Sequence, residues 1–210
     1  MNVKQLFDLT GRVAIVSGGS MGLGRQMAEG LAEMGANLVL CAREKERCEQ
    51  VAEELRARGV QTIPLACDVR DRVAIHEVVK VTLEAFGRID ILINSAGVSW
   101  AAPVEDMTLE QWDKVISTNL TGTFLFCQAV GKAMLAQRSG KIINIASVAG
   151  LGGSSAELQA IGYHASKGGV IAFTKDLACK WAPHNIEVNA IAPGWFPTHM
   201  SEWVIEHRKE

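Results

Sequence analysis

The chain has 210 residues, 48% of them apolar and 21% charged, and a formal net charge of −2. A chain of that length buries most of its apolar surface without disulfide or metal staples. Acidic and basic residues are mixed along it, so no basic stripe marks a nucleic-acid binder. Cys41, Cys48, Cys67, Cys127 and Cys179 form no CxxC and no Cys/His cluster of zinc spacing. No metal site is expected, and the thiols read as reduced ones in a cytoplasmic protein. The N-terminal MNVKQLFDLTGR lacks an apolar core of signal-peptide length, and no run approaches a membrane span.

Short apolar runs alternate with longer amphipathic segments. The first run, VAIVS at 13–17, leads into SGGSMGLG at 17–24 and a predicted helix over 23–34. Glycines at 18, 22 and 24 between a strand and a helix let backbone approach a phosphate closely. The helix N-terminus behind them offers free N–H groups and partial positive charge. Gly18, Ser20, Met21, Gly22, Leu23 and Gly24 are therefore candidate pyrophosphate contacts. A tight turn without ligand is the bland alternative, and the spacing GxxxGxG differs from the commoner GxGxxG.

The second run, NLVLC at 37–41, continues into Ala42 and Arg43 before a predicted helix over 44–58. An acidic residue there would hold both adenosine ribose hydroxyls and repel a 2′-phosphate. Arg43 instead suits forked contact with phosphate, favouring NADP(H), with NAD(H) still open. An exposed strand-end arginine is the plain alternative. The third run, TIPLA at 62–66, ends in ACDVRD. Asp68 could accept from the adenine amino group, with the Val69 backbone beside it, while Asp71 is the better N-cap for a helix over 71–86. The fourth run, IDILIN at 89–94, ends in NSAG. Asn94, Ala96 and Gly97 would lie beside the cofactor at the point where strand order reverses.

A long helix is predicted over 108–137, bent or interrupted near Gly122, with Asn119 inside it, where a polar side chain competes with backbone hydrogen bonds. The run KIINIAS at 141–147 ends in Ser147. A helix over 162–182 opens with YHASK, which contains the single tyrosine of the chain. Tyr163 and Lys167 are four residues apart, on one helix face. An ammonium held near the phenol favours the phenolate, so Lys167 is expected to lower the Tyr163 pKa and make it a proton-transfer group. Taken singly, the pair could be a surface contact, Ser147 a turn cap and Asn119 a solvated side chain. The last run is IEVNAIA at 186–192. Runs rich in Val and Ile with little alternation read as strands buried on both faces. Strand–helix alternation implies an α/β domain with a doubly wound parallel sheet, and no linker divides residues 1–210.

In this order, GxxxGxG, Asp68, NSAG, Asn119, Ser147, YxxxK and PGWFPT at 193–198 resemble a short-chain dehydrogenase/reductase of Rossmann type, over residues 10 to about 200. The resemblance implies an NAD(P)-dependent oxidoreductase acting on a small carbonyl or alcohol substrate, without nucleic-acid or membrane partners, as a homodimer or homotetramer. It implies a tetrad of Asn119, Ser147, Tyr163 and Lys167. Tyr163 would be the acid/base, and Ser147 would position the substrate oxygen. Lys167 would bind the nicotinamide ribose, and Asn119 would hold a relay water. Pro193, Gly194, Phe196 and Thr198 would cover the nicotinamide. Relatives with similar features resemble 3-oxoacyl reductases and gluconate 5-dehydrogenases, so a 3-oxoacyl thioester or a sugar acid is the expected substrate.

The sequence departs from the family pattern in four places. Ser95 replaces the second Asn of NNAG. Met21 stands where many NADP-dependent relatives carry Arg. GGSSAELQA lengthens the Ser147–Tyr163 spacing by three residues, next to the expected substrate pocket. The chain stops at SEWVIEHRKE, where the family continues to a seventh strand, so the sixth strand is expected to be an open edge and the lid incomplete. A non-catalytic NAD(P)-binding sensor or subunit is the alternative reading.

Overall fold

The computed structural model describes residues 2–198. Six strands are described: β1 Val13–Ser17, β2 Asn37–Ala42, β3 Thr62–Ala66, β4 Ile91–Asn94, β5 Gly140–Ile145 and β6 Ile186–Ile191. They form one parallel sheet in the order β3-β2-β1-β4-β5-β6. The helices are α1 Val3–Leu6, α2 Gly22–Glu33, α3 Lys45–Arg56, α4 Arg72–Phe86, α5 Leu109–Ile116, α6 Gly122–Gln137 and α7 Ile161–Trp181. This is the expected doubly wound arrangement. Central β1 and β4 are buried along their whole length, whereas edge strand β6 alternates, with Ile186 and Val188 inside and Glu187 and Asn189 outside. Pro64 is tolerated because β3 is the other edge, where one side of the backbone needs no ladder partner.

Two apolar layers sandwich the sheet. On one side Ile15, Leu92 and Ile142 pack with Ile75, Phe126, Val130 and Met134 of α4 and α6. On the other, Ala14, Val16, Leu38 and Leu40 pack with Ala28 of α2 and Val51 and Leu55 of α3. No helix of the described residues is long and apolar enough to cross a membrane.

The predicted long helix is interrupted where expected, but by a change of winding. Five residues, Ser117–Thr121, form a π-helical turn between α5 and α6. β4 begins at Ile91, two residues later than the apolar run suggests, because Asp90 is a cap. Its carboxylate accepts from Arg12 at 3.0 Å, from the Val13 N–H at 3.0 Å and from Arg88 at 2.6 Å. Burial pushes the Asp90 pKa up, but the bonds from Arg88, Val13 and Arg12 outweigh it and the net shift is downward. That cluster ties the N-terminal ends of β1 and β4 together.

Register does the positioning at the opposite edge. Ser17 aligns with Cys41 and with Asn94, Asn94 with Asn144, and Asn144 with Ala190. The segments that follow β1, β2, β4, β5 and β6 therefore leave the sheet at one level. Between β1 and β4 the order of connection reverses, which is where open α/β sheets form a ligand crevice.

Candidate active site

The turn after β1 is built by close approach. Gly18 has φ +69, and a Cβ on it would lie 2.7 Å from the Ala96 nitrogen. A Cβ on Gly24 would collide with the Gly18 carbonyl oxygen. The turn is bonded on both sides: the Gly18 N–H donates to Cys41 at 2.8 Å, and the Ser95 N–H donates to Ser17 at 3.1 Å. Gly22, at φ +53, is the first residue of α2. The cap residue, Met21, gives α2 no side-chain acceptor. The first-turn N–H groups, including those of Leu23 and Gly24, are thus left to a ligand. Ser20 reaches the Cys48 thiol instead of facing open solvent. These features suit the pyrophosphate of a dinucleotide.

Arg43 is exposed just past β2, and its charge helps lower the Asp68 pKa, so the two lie near each other. Asp68 already has a partner. Both its oxygens are held by Arg70, through Nε at 3.0 and 3.1 Å and Nη2 at 2.6 Å. This bond to Arg70 is the main reason its pKa is lowered. The turn after β3 thus brings a guanidinium two residues away into fork geometry on a carboxylate that is 30% exposed. Val69 is buried, and a Cβ on Gly122 would meet its side chain at 2.7 Å and its carbonyl at 3.0 Å. Val69 packs against the start of α6. Asp71 caps α4, accepting from Val73 at 2.8 Å and Ala74 at 3.3 Å.

Next to the glycine turn the four tetrad positions come together. β5 ends at Ile145, so Ser147 lies two residues beyond the strand and not at its tip. The backbone bonds Ala146 N–H to Ile191 at 2.8 Å and Val148 N–H to Pro193 at 3.0 Å hold it there. Ser147 caps a short 3-10 turn, accepting from the Ala149 N–H at 3.2 Å. Its hydroxyl lies near enough to Tyr163 to pull the phenol pKa downward. The turn packs on α7 so closely that a Cβ on Gly150 would lie 2.5 Å from the Lys167 carbonyl carbon.

Lys167 is 5% exposed. Its ammonium donates to the Ile145 carbonyl at 2.7 Å and lies 5.6 Å from the centroid of the Tyr163 ring. Loss of water drives its pKa down to about 8. Tyr163 differs from expectation: burial pushes its pKa above the usual 10.0, and the nearby Ser147 hydroxyl offsets only part of that. The expected lowering by Lys167 is absent. Both groups are desolvated, and the ammonium is engaged by a backbone carbonyl.

Asn119 is 1% exposed within the π-helical turn. Its Oδ1 accepts from the Val98 N–H at 2.8 Å, and its Nδ2 donates to the Val98 carbonyl at 2.9 Å and to the Ser166 hydroxyl at 3.0 Å. It clamps the segment that follows NSAG onto α7. A Cβ on Gly97 would sit 3.4 Å from the Asn119 Oδ1 and 3.6 Å from the Lys167 ammonium. Thr198 approaches the glycine turn, 3.6 Å from where a Cβ on Gly22 would be. Gly194 and Phe196 are exposed above this edge. Asn94 is 4% exposed and points into the sheet interior, donating to Asn144 at 2.9 Å.

Several contributors were not picked out from sequence. Val98, Ser166 and the Ile145 carbonyl act through backbone or neighbours, so their residue types carry no signal. Gly150, in a strand-to-helix turn, was the one legible clue. Among the described residues, no group of three His, Cys, Asp or Glu could hold a metal ion.

Comparison with known proteins matches residues 12–209 to the short chain dehydrogenase family. The chain is 42% identical over 195 residues to a 3-oxoacyl-[acyl-carrier-protein] reductase of Synechocystis sp., covering 92% of this chain and 78% of that one. It is 38% identical over 208 residues to a gluconate 5-dehydrogenase of Gluconobacter oxydans, covering 98% and 79%. A solved short-chain type dehydrogenase/reductase from Mycobacterium marinum superposes with a TM-score of 0.94 at 34% identity, over 98% of this chain and 81% of its own. Fold, ordered motifs and these matches agree, and the chain belongs to the short-chain dehydrogenase/reductase family of NAD(P)-dependent oxidoreductases.

Proposed function

We propose that the protein interconverts a ketone and a secondary alcohol with a preference for NADP(H), and that Tyr163, Ser147 and Lys167 do the protein's part of the chemistry. The bound nicotinamide supplies or accepts the hydride at the substrate carbon. The observation that carries the reading is the approach of Ser147 and Tyr163 to one another over a buried Lys167 whose ammonium lies 5.6 Å from the tyrosine ring centroid, beside Gly97 and the glycine turn.

In reduction, Tyr163 gives its phenolic proton to the substrate oxygen as the carbon gains hydride; oxidation reverses both transfers. Ser147 donates to the same oxygen and fixes its position. The raised Tyr163 pKa keeps the phenol protonated at neutral pH, which suits the acid role and hence the reductive direction. Lys167, cationic below about pH 8, holds the nicotinamide ribose hydroxyls. Asn119 keeps the backbone at Val98 against α7. The α2 N-terminus takes the pyrophosphate, and Arg43 takes the 2′-phosphate that distinguishes NADP from NAD.

The similarity to a 3-oxoacyl reductase and a gluconate 5-dehydrogenase supports a 3-oxoacyl thioester or a sugar acid as substrate. A homo-oligomer is the expected working form, and a reducing, cytoplasmic setting suits five free thiols. The test is NADPH oxidation at the nicotinamide absorbance band against a panel of 3-oxoacyl thioesters and keto sugar acids. Tight NADPH binding without turnover on any member would instead favour a non-catalytic dinucleotide binder.

A further inference from the structure

Beneath the tetrad lies a buried polar chain that none of the roles above uses. Asn94 at the end of β4 donates to the Asn144 Oδ1 at 2.9 Å. Asn144 on β5 donates to the Thr174 hydroxyl at 2.9 Å, and Thr174 donates to the Val170 carbonyl within α7 at 2.7 Å. Cys127 of α6 touches both amides, at 3.4 Å from Asn94 and 3.7 Å from Asn144. Asn144 is fully buried, Cys127 is 1% exposed and Thr174 is 3% exposed. Burying two amides and a hydroxyl in an apolar layer is unfavourable unless they satisfy one another; here they do so except at the Asn94 Oδ1, which has no hydrogen-bond partner among the described residues.

The geometry of the attachment matters more than the burial. Tyr163, Lys167, Val170 and Thr174 follow i, i+4, i+7, i+11 and so share one face of α7. Two consecutive residues of β5 grip that face at two points. The Ile145 carbonyl holds the Lys167 ammonium and the Asn144 side chain holds Thr174. The grips are seven residues apart on the helix, about 10 Å along its axis. One grip alone would let α7 rotate or slide on the sheet; two fix its rotation and depth. Because Asn144 is itself held by Asn94, the chain also references α7 to the strand that leads into Ala96 and Gly97.

We propose that Asn144 and Thr174 are positioning residues that hold Lys167 in its dry seat beneath Tyr163. The catalytic meaning of that seat rests on the function proposed above; the seat itself does not. The ammonium is faced by the Ile145 carbonyl from β5, by Tyr163 on its own helix and by Asn119 and the Gly97 backbone across the crevice. Losing the Asn144–Thr174 grip loosens α7 and admits water to Lys167.

The experiment compares wild type with Thr174→Val, Thr174→Ala and Thr174→Ser, reading unfolding by denaturant at pH 8 and pH 10. A lysine titrating near 8 when folded and near 10.5 when unfolded contributes a rise in the folding constant of about fortyfold over that interval. It is read as the difference from Lys167→Met, because the raised pKa values of Cys41, Cys48, Cys127 and Tyr163 pull the other way in every variant alike. The rise is expected to shrink to about fivefold or less in the Val and Ala variants and to return in the Ser variant, which keeps the hydroxyl. Alanine suits a helix well, so the Ala variant serves if the Val variant does not fold. With an active substrate, the basic limb of kcat against pH should move upward in the same two variants. An unchanged pH dependence of stability in Thr174→Ala would overturn the proposal, whether or not the protein turns over. Loss of activity in wild type with every substrate would count against the proposed function alone.

Discussion

The Lys167 ammonium sits 5.6 Å from the centroid of the Tyr163 ring, and its hydrogen bond goes to the Ile145 carbonyl. The lysine is therefore seated by the sheet and only overlooked by the tyrosine. Burial raises the phenol above 10.0 and lowers the ammonium from 10.5 to about 8, so the order of the two pKa values is reversed. At neutral pH the site holds a phenol above a cation.

Removing the phenolic hydroxyl takes away the group that carries the proton. Tyr163→Phe should lower kcat by about 10²–10⁴-fold, the usual contribution of a positioned acid–base group. NADPH binding, followed by the quenching or enhancement of its fluorescence, should change little. Unchanged kcat in a folded Tyr163→Phe protein would remove Tyr163 from the mechanism.

Lys167 should also leave a mark on stability. Its folded pKa is lowered, so below about pH 8 the fold carries the full cost of a buried charge. Between about 8 and 10.5 this side chain binds more proton in the unfolded chain than in the folded one, and its contribution to stability rises with pH. The total rise attributable to this side chain is about 3 kcal/mol. Denaturant unfolding from pH 7 to 10.5 should show the wild type gaining on Lys167→Met by about that amount, while Cys41, Cys48, Cys127 and Tyr163, whose pKa values are raised, pull both proteins the other way alike.

Arg43 stands exposed at the end of β2 with no acidic residue at the ribose position. Arg43→Ala should weaken NADPH binding by about ten- to a hundredfold, the range for a lost hydrogen-bonded charge. NADH binding should change by less than about twofold, since NADH lacks the 2′-phosphate this guanidinium would reach. Titration calorimetry with both nucleotides decides it. Equal losses would end the argument for NADP.

The glycine turn allows a sharper test of packing. Gly18→Ala places a methyl 2.7 Å from the Ala96 nitrogen at φ +69, and Gly24→Ala drives one into the Gly18 carbonyl. Each should cost about 1–3 kcal/mol of stability through overpacking and strain and abolish tight dinucleotide binding. Gly30→Ala, in open space on the same helix, should be neutral or mildly stabilising. Thermal melts with and without NADPH compare the three.

What could be read from the sequence was whatever is written in residue type. The buried strands announce themselves because β1 and β4 are apolar on both faces, and the glycine turn because no other residue fits it. The meeting of Ser147 with Tyr163 was legible only through ordered motifs, since it depends on β5 and α7 packing across the sheet edge. The Asp68–Arg70 fork was hidden because a two-residue spacing in a turn does not reveal which way either side chain points. The direction of the Tyr163 shift was hidden for another reason. Spacing shows that a cation is near, but only packing shows how much water both groups have lost. The π-helical turn left a hint in the expected break near Gly122, though Asn119 gives no sign in sequence that its amide serves the Val98 backbone.

That turn makes the site unusually sensitive to chain length in one short place. A π-helical turn holds one more residue than the α-helix it interrupts. Deleting any single residue from 117–121 would let α5 and α6 fuse into one regular helix, swinging whatever remained of the Asn119 face by about 100°. The Val98 clamp would then face the wrong way while most of the fold survived. Length change should be far easier to absorb in the exposed loop over 151–159. Drift in length is thus open at the mouth of the crevice and closed at its wall.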